Sequence, residues 1–100
     1  MKCYTIVDSF DGGNELWMTN YASRDSAVKA LGKILEHYGM VDGNGNVEDE
    51  GWNPTVDELF NYLLQNGCSH KYYYSSGDSG DIFVREEEIQ LEFNESNMPF

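Results

Sequence analysis

The sequence predicts an α+β domain, in which a mainly antiparallel sheet made of two terminal hairpins carries two helices on one face. Three observations lead to this fold class. Strand-like segments lie near both ends of the chain, two amphipathic helical segments lie between them, and 100 residues suffice for one hydrophobic core. The predicted order is therefore ββααββ, in a single domain over residues 1–100.

The first hairpin is predicted from two strand-like segments with turn chemistry between them. Residues 2–8 alternate in polarity and are rich in β-branched and aromatic side chains, and residues 16–21 have a similar composition. The Asp-Gly-Gly-Asn sequence at positions 11–14 favours a tight turn. These three segments predict two antiparallel strands.

Both helices are predicted from their caps and their apolar spacing. Ser23 is a typical N-cap residue and Gly39 suits the left-handed position after a helix, whereas Thr55 and Glu58 have capping-box spacing behind Pro54 and precede Gly67. The helical spacing of the apolar residues predicts a buried stripe on each helix. The expected core comprises Leu31, Ile34, Leu35, Leu59, Phe60, Leu63 and Leu64.

The second hairpin is predicted after Gly67. Residues 71–75 have strand character, residues 76–80 favour a turn, and a last strand is expected to begin at Asp81 and to run past Phe93. We expect the tail from about residue 94 to be frayed.

Charge is the strongest departure from an average composition. Eighteen acidic residues stand against six basic ones, for a formal net charge of -12. This balance disfavours direct binding to nucleic acid or to an anionic membrane, because both need Lys and Arg, and it favours a basic protein partner. No segment is long and apolar enough to span a membrane, and no signal peptide is apparent, so we expect a soluble cytoplasmic protein.

The connection between the helices suggests a calcium loop as an alternative function. Asp42, Asn44 and Asn46 occupy the first three ligand positions of an EF-hand loop, with Glu48 and Glu50 at the next two. Val47 replaces the required glycine, however, and Asn53 replaces the bidentate glutamate at the last position. A glycine-rich turn with a small hairpin over residues 42–47, followed by an exposed acidic patch, is the preferred interpretation, and no cofactor is predicted.

Residue spacing gives little support for a zinc site or for a catalytic pair. Cys3, Cys68, His37 and His70 lack the spacing of a zinc site, and the two cysteines are expected to be free thiols. On an extended strand, Cys68 and His70 are expected to point to the same face about 7 Å apart, beyond hydrogen-bond reach for a nucleophilic pair unless the chain bends. With neither a phosphate-binding loop nor a nucleophile elbow, a non-enzymatic role is expected.

The predicted partner-binding site is a row of carboxylates. Glu86, Glu88 and Glu92 share one parity on the last strand, so neighbouring positions stand roughly 6.6–6.8 Å apart, about two phosphate steps of a nucleic-acid strand. Such a row resembles a phosphate backbone. The predicted partner-binding residues are Glu48, Asp49, Glu50, Glu86, Glu88, Glu92, Trp52 and Tyr73, the last two as exposed aromatic anchors.

A small acidic domain with these features resembles the inhibitors that phages and mobile elements use against bacterial defence, notably anti-CRISPR proteins and antirestriction DNA mimics. The resemblance rests on size and charge over the whole chain and on no motif. It implies a stoichiometric inhibitor in the cytoplasm of a bacterial host cell that blocks the nucleic-acid-binding cleft of a CRISPR effector nuclease. The alternative is a small acidic adaptor domain that binds a protein without mimicry.

Overall fold

A computed structural model describes residues 2–10, 15–48, 51–67, 70–73 and 79–88. The elements follow one another as β1 (Lys2–Phe10), β2 (Glu15–Tyr21), α1 (Arg24–His37), α2 (Val56–Asn66), β3 (His70–Tyr73) and β4 (Ser79–Glu88). The strands form one antiparallel sheet in the order β2-β1-β4-β3. The predicted α+β class is confirmed.

The central strands β1 and β4 present one set of alternating side chains to the helices. Ile6 of β1 pairs with Val84 of β4, and both are buried. On the same side of β1, the Tyr4 ring lies 6.0 Å from the Phe60 ring of α2. Residues of the other parity, such as Thr5, point to the opposite face because side chains alternate along a strand.

Both predicted N-caps are present in the structure. The Ser23 hydroxyl accepts a hydrogen bond from the backbone N–H of Ser26 at 3.2 Å. The Thr55 hydroxyl accepts from the backbone N–H of Glu58 at 3.1 Å, and the Glu58 carboxylate accepts from the backbone N–H of Thr55 at 3.3 Å, completing a capping box. These contacts satisfy backbone groups that a helix terminus leaves without partners.

Two glycines adopt the left-handed backbone conformation expected after the helices. Gly39 has φ 71° and follows α1, and Gly67 has φ 61° and ends α2. Only glycine reaches this region without a steric cost, which explains why the helices end where the sequence predicts.

The N-terminal ends of the two helices are joined by Arg24. Its guanidinium donates to the Asp57 carboxylate at 2.7 Å and to the Asn61 side-chain oxygen at 2.5 Å, and it lies 5.1 Å from the centre of the Phe60 ring. The bond to Arg24 is the main cause that lowers the pKa of Asp57. Arg24 therefore sets the start of α2 against the first turns of α1.

The core contains most of the residues predicted for it. Leu31, Leu35, Leu59, Phe60 and Leu63 are buried. Ile34 and Leu64 were predicted to be buried, but both side chains are only partly buried and pack at the margin of the core. A helical apolar stripe is wider than the contact a helix makes, so its edge residues stay partly accessible.

The connection between the helices contributes one core residue that the sequence did not indicate. Val47 is completely buried. Its backbone N–H donates to the Pro54 carbonyl at 2.7 Å, and its carbonyl accepts from the Asn53 side-chain amide at 2.7 Å. The predicted small hairpin is present, with Val41 bridged to Val47.

Several predictions fall outside the described residues. They concern the turn at residues 11–14, the thiol of Cys68, the course of the last strand after Glu88 and the tail from residue 94. Within the described part of the chain, β4 begins at Ser79, two residues before the expected start. Neither described helix is sufficiently long and apolar to cross a bilayer.

Candidate functional site

The predicted acidic row begins at the end of β4, which we call the acidic strand end and define as Glu86, Glu87 and Glu88. All three side chains are exposed. Glu86 is paired with Tyr4 and Glu88 with Lys2 in the ladder to β1, so these two glutamates share the sheet face that carries the helices. Glu87 points to the other face.

A lysine lies within this acidic group. The Lys2 ammonium is 3.1 Å from a carboxylate oxygen of Glu86, and both side chains are accessible to solvent. This hydrogen bond is the main cause that raises the pKa of Lys2. Because Lys2 shares its face with Glu86 and Glu88, it offsets part of their negative charge. This contact could not be predicted from the spacing of residues in the sequence.

The remaining acidic residues of the predicted site lie apart from β4 in the sequence or outside the described structure. Glu48 is exposed on the connection between the helices, where its backbone N–H donates to the Met40 carbonyl at 2.7 Å. Asp49, Glu50 and Glu92 lie outside the described residues. Of the predicted acidic residues that the structure describes, Glu86 and Glu88 share one strand face.

The two aromatic residues of the predicted site have different surroundings. Trp52 is 38% exposed, and its ring packs edge-on against Tyr62 with 5.1 Å between centroids. The backbone of Tyr73 pairs with Ser79 in the ladder between β3 and β4. Trp52 thus presents a partly accessible ring that is held by a neighbouring aromatic residue.

The proposed calcium loop is organised by its own side chains. One carboxylate oxygen of Asp42 accepts hydrogen bonds from the backbone N–H groups of Asn44 and Asn46, at 2.8 and 3.0 Å. The other oxygen accepts from the Asn53 amide at 3.3 Å. The hydrogen bonds from the backbone N–H groups of Asn46 and Asn44 are the main cause of the lowered pKa of Asp42. Asp42 therefore acts as the acceptor of an Asx turn.

Two observations on the described part of the chain concern metal ligands and thiols. Over those residues, no group of three or more His, Cys, Asp or Glu side chains is arranged to hold a metal ion. Cys3 is a free thiol and is buried.

A feature that the sequence did not predict is a cavity between β2 and α1, with a volume of about 450 Å³. One wall comes from the sheet, where Asp8, Trp17 and Tyr21 share the parity that faces the helices. The other wall is one stripe of α1 and its C-cap, formed by Ala30, Lys33, Ile34, His37 and Tyr38. The volume is in the range of small-molecule sites.

A buried carboxylate lies in the wall of this cavity. Asp8 is only 4% exposed, and the Tyr38 hydroxyl donates to its Oδ2 at 2.6 Å. Trp17 is the partner of Asp8 in the register between β1 and β2, and His37 packs edge-on against Tyr38 with 5.2 Å between centroids. We call this arrangement of Asp8, Trp17 and Tyr38 the aromatic carboxylate site.

One sequence signal points to Asp8. Along β1, Tyr4 and Ile6 share its parity and face the core, so an acidic residue two positions further along the same face is unexpected. Acidic and basic residues are almost never fully buried unless they have a partner. The partners Trp17 and Tyr38 could not be read from spacing, because three elements bring them together.

Similarity to known proteins adds no family to this description. No family model matches the chain, and neither a curated protein nor a solved structure matches it at a significant level.

Proposed function

We propose that the protein is a non-enzymatic inhibitor that occupies the nucleic-acid-binding cleft of a basic protein. In its most specific form, it is an anti-CRISPR protein that blocks a CRISPR effector nuclease by acidic mimicry of DNA. The observation that carries this proposal is the acidic strand end, where three successive glutamates are exposed on a paired strand. The net charge of -12 favours a basic partner over the molecule as a whole.

Charge complementarity supports this choice of partner. Basic clefts that bind nucleic acid present Lys and Arg side chains to phosphates, and carboxylates held on a strand offer the same groups an alternative partner. Pairing of β4 with β1 fixes the backbone beneath Glu86 and Glu88, which reduces the entropy lost when a partner binds them. Lys2 reduces the local charge and would have to release Glu86 when an arginine of the partner approaches.

A cleavage assay with matched charge variants tests the proposal. The double variant Glu86→Gln/Glu88→Gln removes two charges from the acidic strand end, while Asp25→Asn/Glu36→Gln removes two exposed charges from α1. DNA cleavage by a panel of CRISPR effector nucleases is measured with each protein at low and moderate salt. We expect near-stoichiometric inhibition by the parent and about tenfold weaker inhibition by the β4 variant, with a much smaller change for the α1 variant.

The assay also has outcomes that would contradict the proposal. Equal inhibition by the parent and the Glu86→Gln/Glu88→Gln variant would show that the acidic strand end makes no contact. Simultaneous binding of DNA and the inhibitor to one nuclease would exclude mimicry. Failure of the parent to inhibit or bind any nuclease of the panel would leave the adaptor function as the better explanation.

The adaptor function is favoured by a different observation. Leu16 and Met18 of β2 are 65% and 59% exposed, on the sheet face opposite Trp17. Exposed large apolar side chains of this kind often contact another protein. If the protein is an adaptor, partner binding should persist at high salt and should weaken in Leu16→Ser/Met18→Ser, whereas mimicry requires steep salt dependence.

A further inference from the structure

We propose that the protein associates with a second copy of itself through the free edge of β2, so that the two sheets join into one antiparallel sheet. The free edge is the side of β2 that faces away from β1. In the described part of the sheet, β2 pairs with β1 alone and is therefore a terminal strand. This inference is independent of the inhibitor function, because the acidic strand end belongs to β4, and β1 lies between β4 and β2.

The free edge of β2 lacks the features that usually protect a terminal strand. Such strands expose backbone N–H and C=O groups, and proteins commonly shorten them or add Lys or Pro to prevent pairing with another chain. β2 spans seven residues without Lys or Pro, and its single charged residue, Glu15, lies at its start. The terminal strand on the other side of the sheet, β3, has four residues and contains Lys71. Of these two strands, β2 is the one suited to pairing.

Large apolar side chains flank this edge on both faces of the sheet. Leu16 and Met18 are 65% and 59% exposed on the outer face, and Trp17 is 40% exposed on the face that carries the helices. A strand added to the edge would cover part of each side chain, because cross-strand neighbours contact one another on both faces. Burial of this apolar surface favours association.

The sequence of β2 is suited to pairing with itself. Backbone groups directed to one edge of a strand belong to alternate residues, so two copies in an antiparallel ladder pair positions of equal parity. The register centred on Met18 meets this condition and pairs all seven residues of the strand. Met18 then lies opposite Met18 of the second copy, with Leu16 on the diagonal, about 7–8 Å away. Glu15 lies opposite Tyr21 of the second copy, so no like charges face each other.

The distribution of charge favours a second copy over a basic partner at this edge. The segment that forms β2 and α1, residues 15–37, contains three acidic and three basic residues, so the whole net charge of -12 lies outside it. In the joined sheet, five strand spacings of about 4.8 Å would separate the two β4 strands, roughly 24 Å in total. This distance exceeds the Debye length of about 10 Å at 0.1 M salt, so the two acidic strand ends repel each other weakly.

Sedimentation equilibrium of the full chain tests the proposal. The weight-average mass is measured from about 5 to 500 μM protein, at low and moderate salt. We expect the mass to rise with concentration from that of the monomer towards that of the dimer, because a small edge-to-edge interface gives a reversible complex. Association should strengthen with salt, which screens the repulsion between two acidic molecules. Binding of the inhibitor to a nuclease should weaken with salt, so the two proposals can fail independently.

Charge variants at the centre of the ladder test the register. Met18→Lys and Met18→Glu each place two like charges directly opposite each other, so each variant alone should associate at least about tenfold more weakly than the parent. An equimolar mixture of the two should regain association, because Lys then lies opposite Glu. Tyr62→Lys is the matched control, since it adds the same charge at a side chain of α2 that is 46% exposed, and it should associate as the parent does. Leu16→Lys provides the test if circular dichroism shows that the Met18 variants do not fold.

Four results would overturn the inference. A monomer at every concentration and salt would exclude a second copy and leave Leu16 and Met18 to the partner of the adaptor function. Equal weakening by Met18→Lys and Tyr62→Lys would place the contact elsewhere. An equimolar mixture that stays monomeric would show that Met18 does not lie opposite its own copy. Species that grow beyond the dimer with concentration would indicate open-ended aggregation instead of a closed two-fold contact.

Discussion

The Tyr38 hydroxyl donates a hydrogen bond of 2.6 Å to the buried carboxylate of Asp8, joining the end of α1 to the central strand β1 across 30 residues of sequence. The contact sets the C-terminal end of the helix over the sheet. It also positions the one acidic side chain that is buried among the described residues.

Replacing Tyr38 with Phe should destabilise the protein by about 1.5–3 kcal/mol, because a hydrogen bond to a buried charged group is lost. Urea denaturation followed by circular dichroism measures this difference. Tyr62→Phe is the matched control, since it removes the same hydroxyl from a tyrosine of α2 that is 46% exposed, and its effect should stay within about 0.5 kcal/mol. Equal effects of the two variants would contradict a stabilising role for the Tyr38 contact.

Two neighbouring leucines of α2 should differ in their contribution to stability. Leu63 is 1% exposed and Leu64 is partly buried, so Leu63→Ala should cost about 2–5 kcal/mol and Leu64→Ala clearly less. Denaturant titration of both variants measures the two losses. A loss below about 0.5 kcal/mol for Leu63→Ala would show that the buried face of α2 is assigned wrongly.

The turn around Asp42 should make a pH-dependent contribution to stability. The backbone N–H groups of Asn46 and Asn44 lower the pKa of Asp42 below its ordinary value of 3.8. Because the folded state has the lower pKa, the contribution is fully present above the ordinary value and is lost as pH falls through the lowered one.

Asp42→Asn removes this charge. Asn keeps a side-chain oxygen that can accept from the two backbone N–H groups, while the 3.3 Å hydrogen bond from the Asn53 amide is lost in the variant. The variant should be less stable than the parent at neutral pH, and the difference should shrink as the pH falls below about 4. Thermal melts across this pH range check the expectation. A difference that does not change with pH would assign the effect to altered hydrogen-bond geometry.

Calcium should have little effect on the protein. Both carboxylate oxygens of Asp42 accept hydrogen bonds within the loop, and a ligand that bound the folded state would raise the melting temperature by mass action. Millimolar calcium should therefore leave the melting temperature almost unchanged, with magnesium at the same concentration as a control for ionic strength. A rise of several degrees that disappears in Asp42→Ala would identify the loop as a calcium site.

The sequence alone determined those features that depend on short-range chemistry. The caps at Ser23 and Thr55, the glycine ends of the helices and the buried stripe around Leu31 and Leu63 follow from residues at most four positions apart along the chain. Such patterns can be recognised in a sequence because side-chain hydrogen bonds and helical periodicity act over one turn. The acidity that motivates the inhibitor proposal is likewise a property of composition.

Only the tertiary structure decided which distant residues meet. The burial of Val47, the contact of Lys2 with Glu86, and the convergence of Asp8 with Trp17 and Tyr38 each require two or more elements to pack. These residues are brought together by the pairing register of β1 with its two neighbours and by the position of α1 over β2. Both are set by long-range packing of the core, so the cavity could not be read from local spacing.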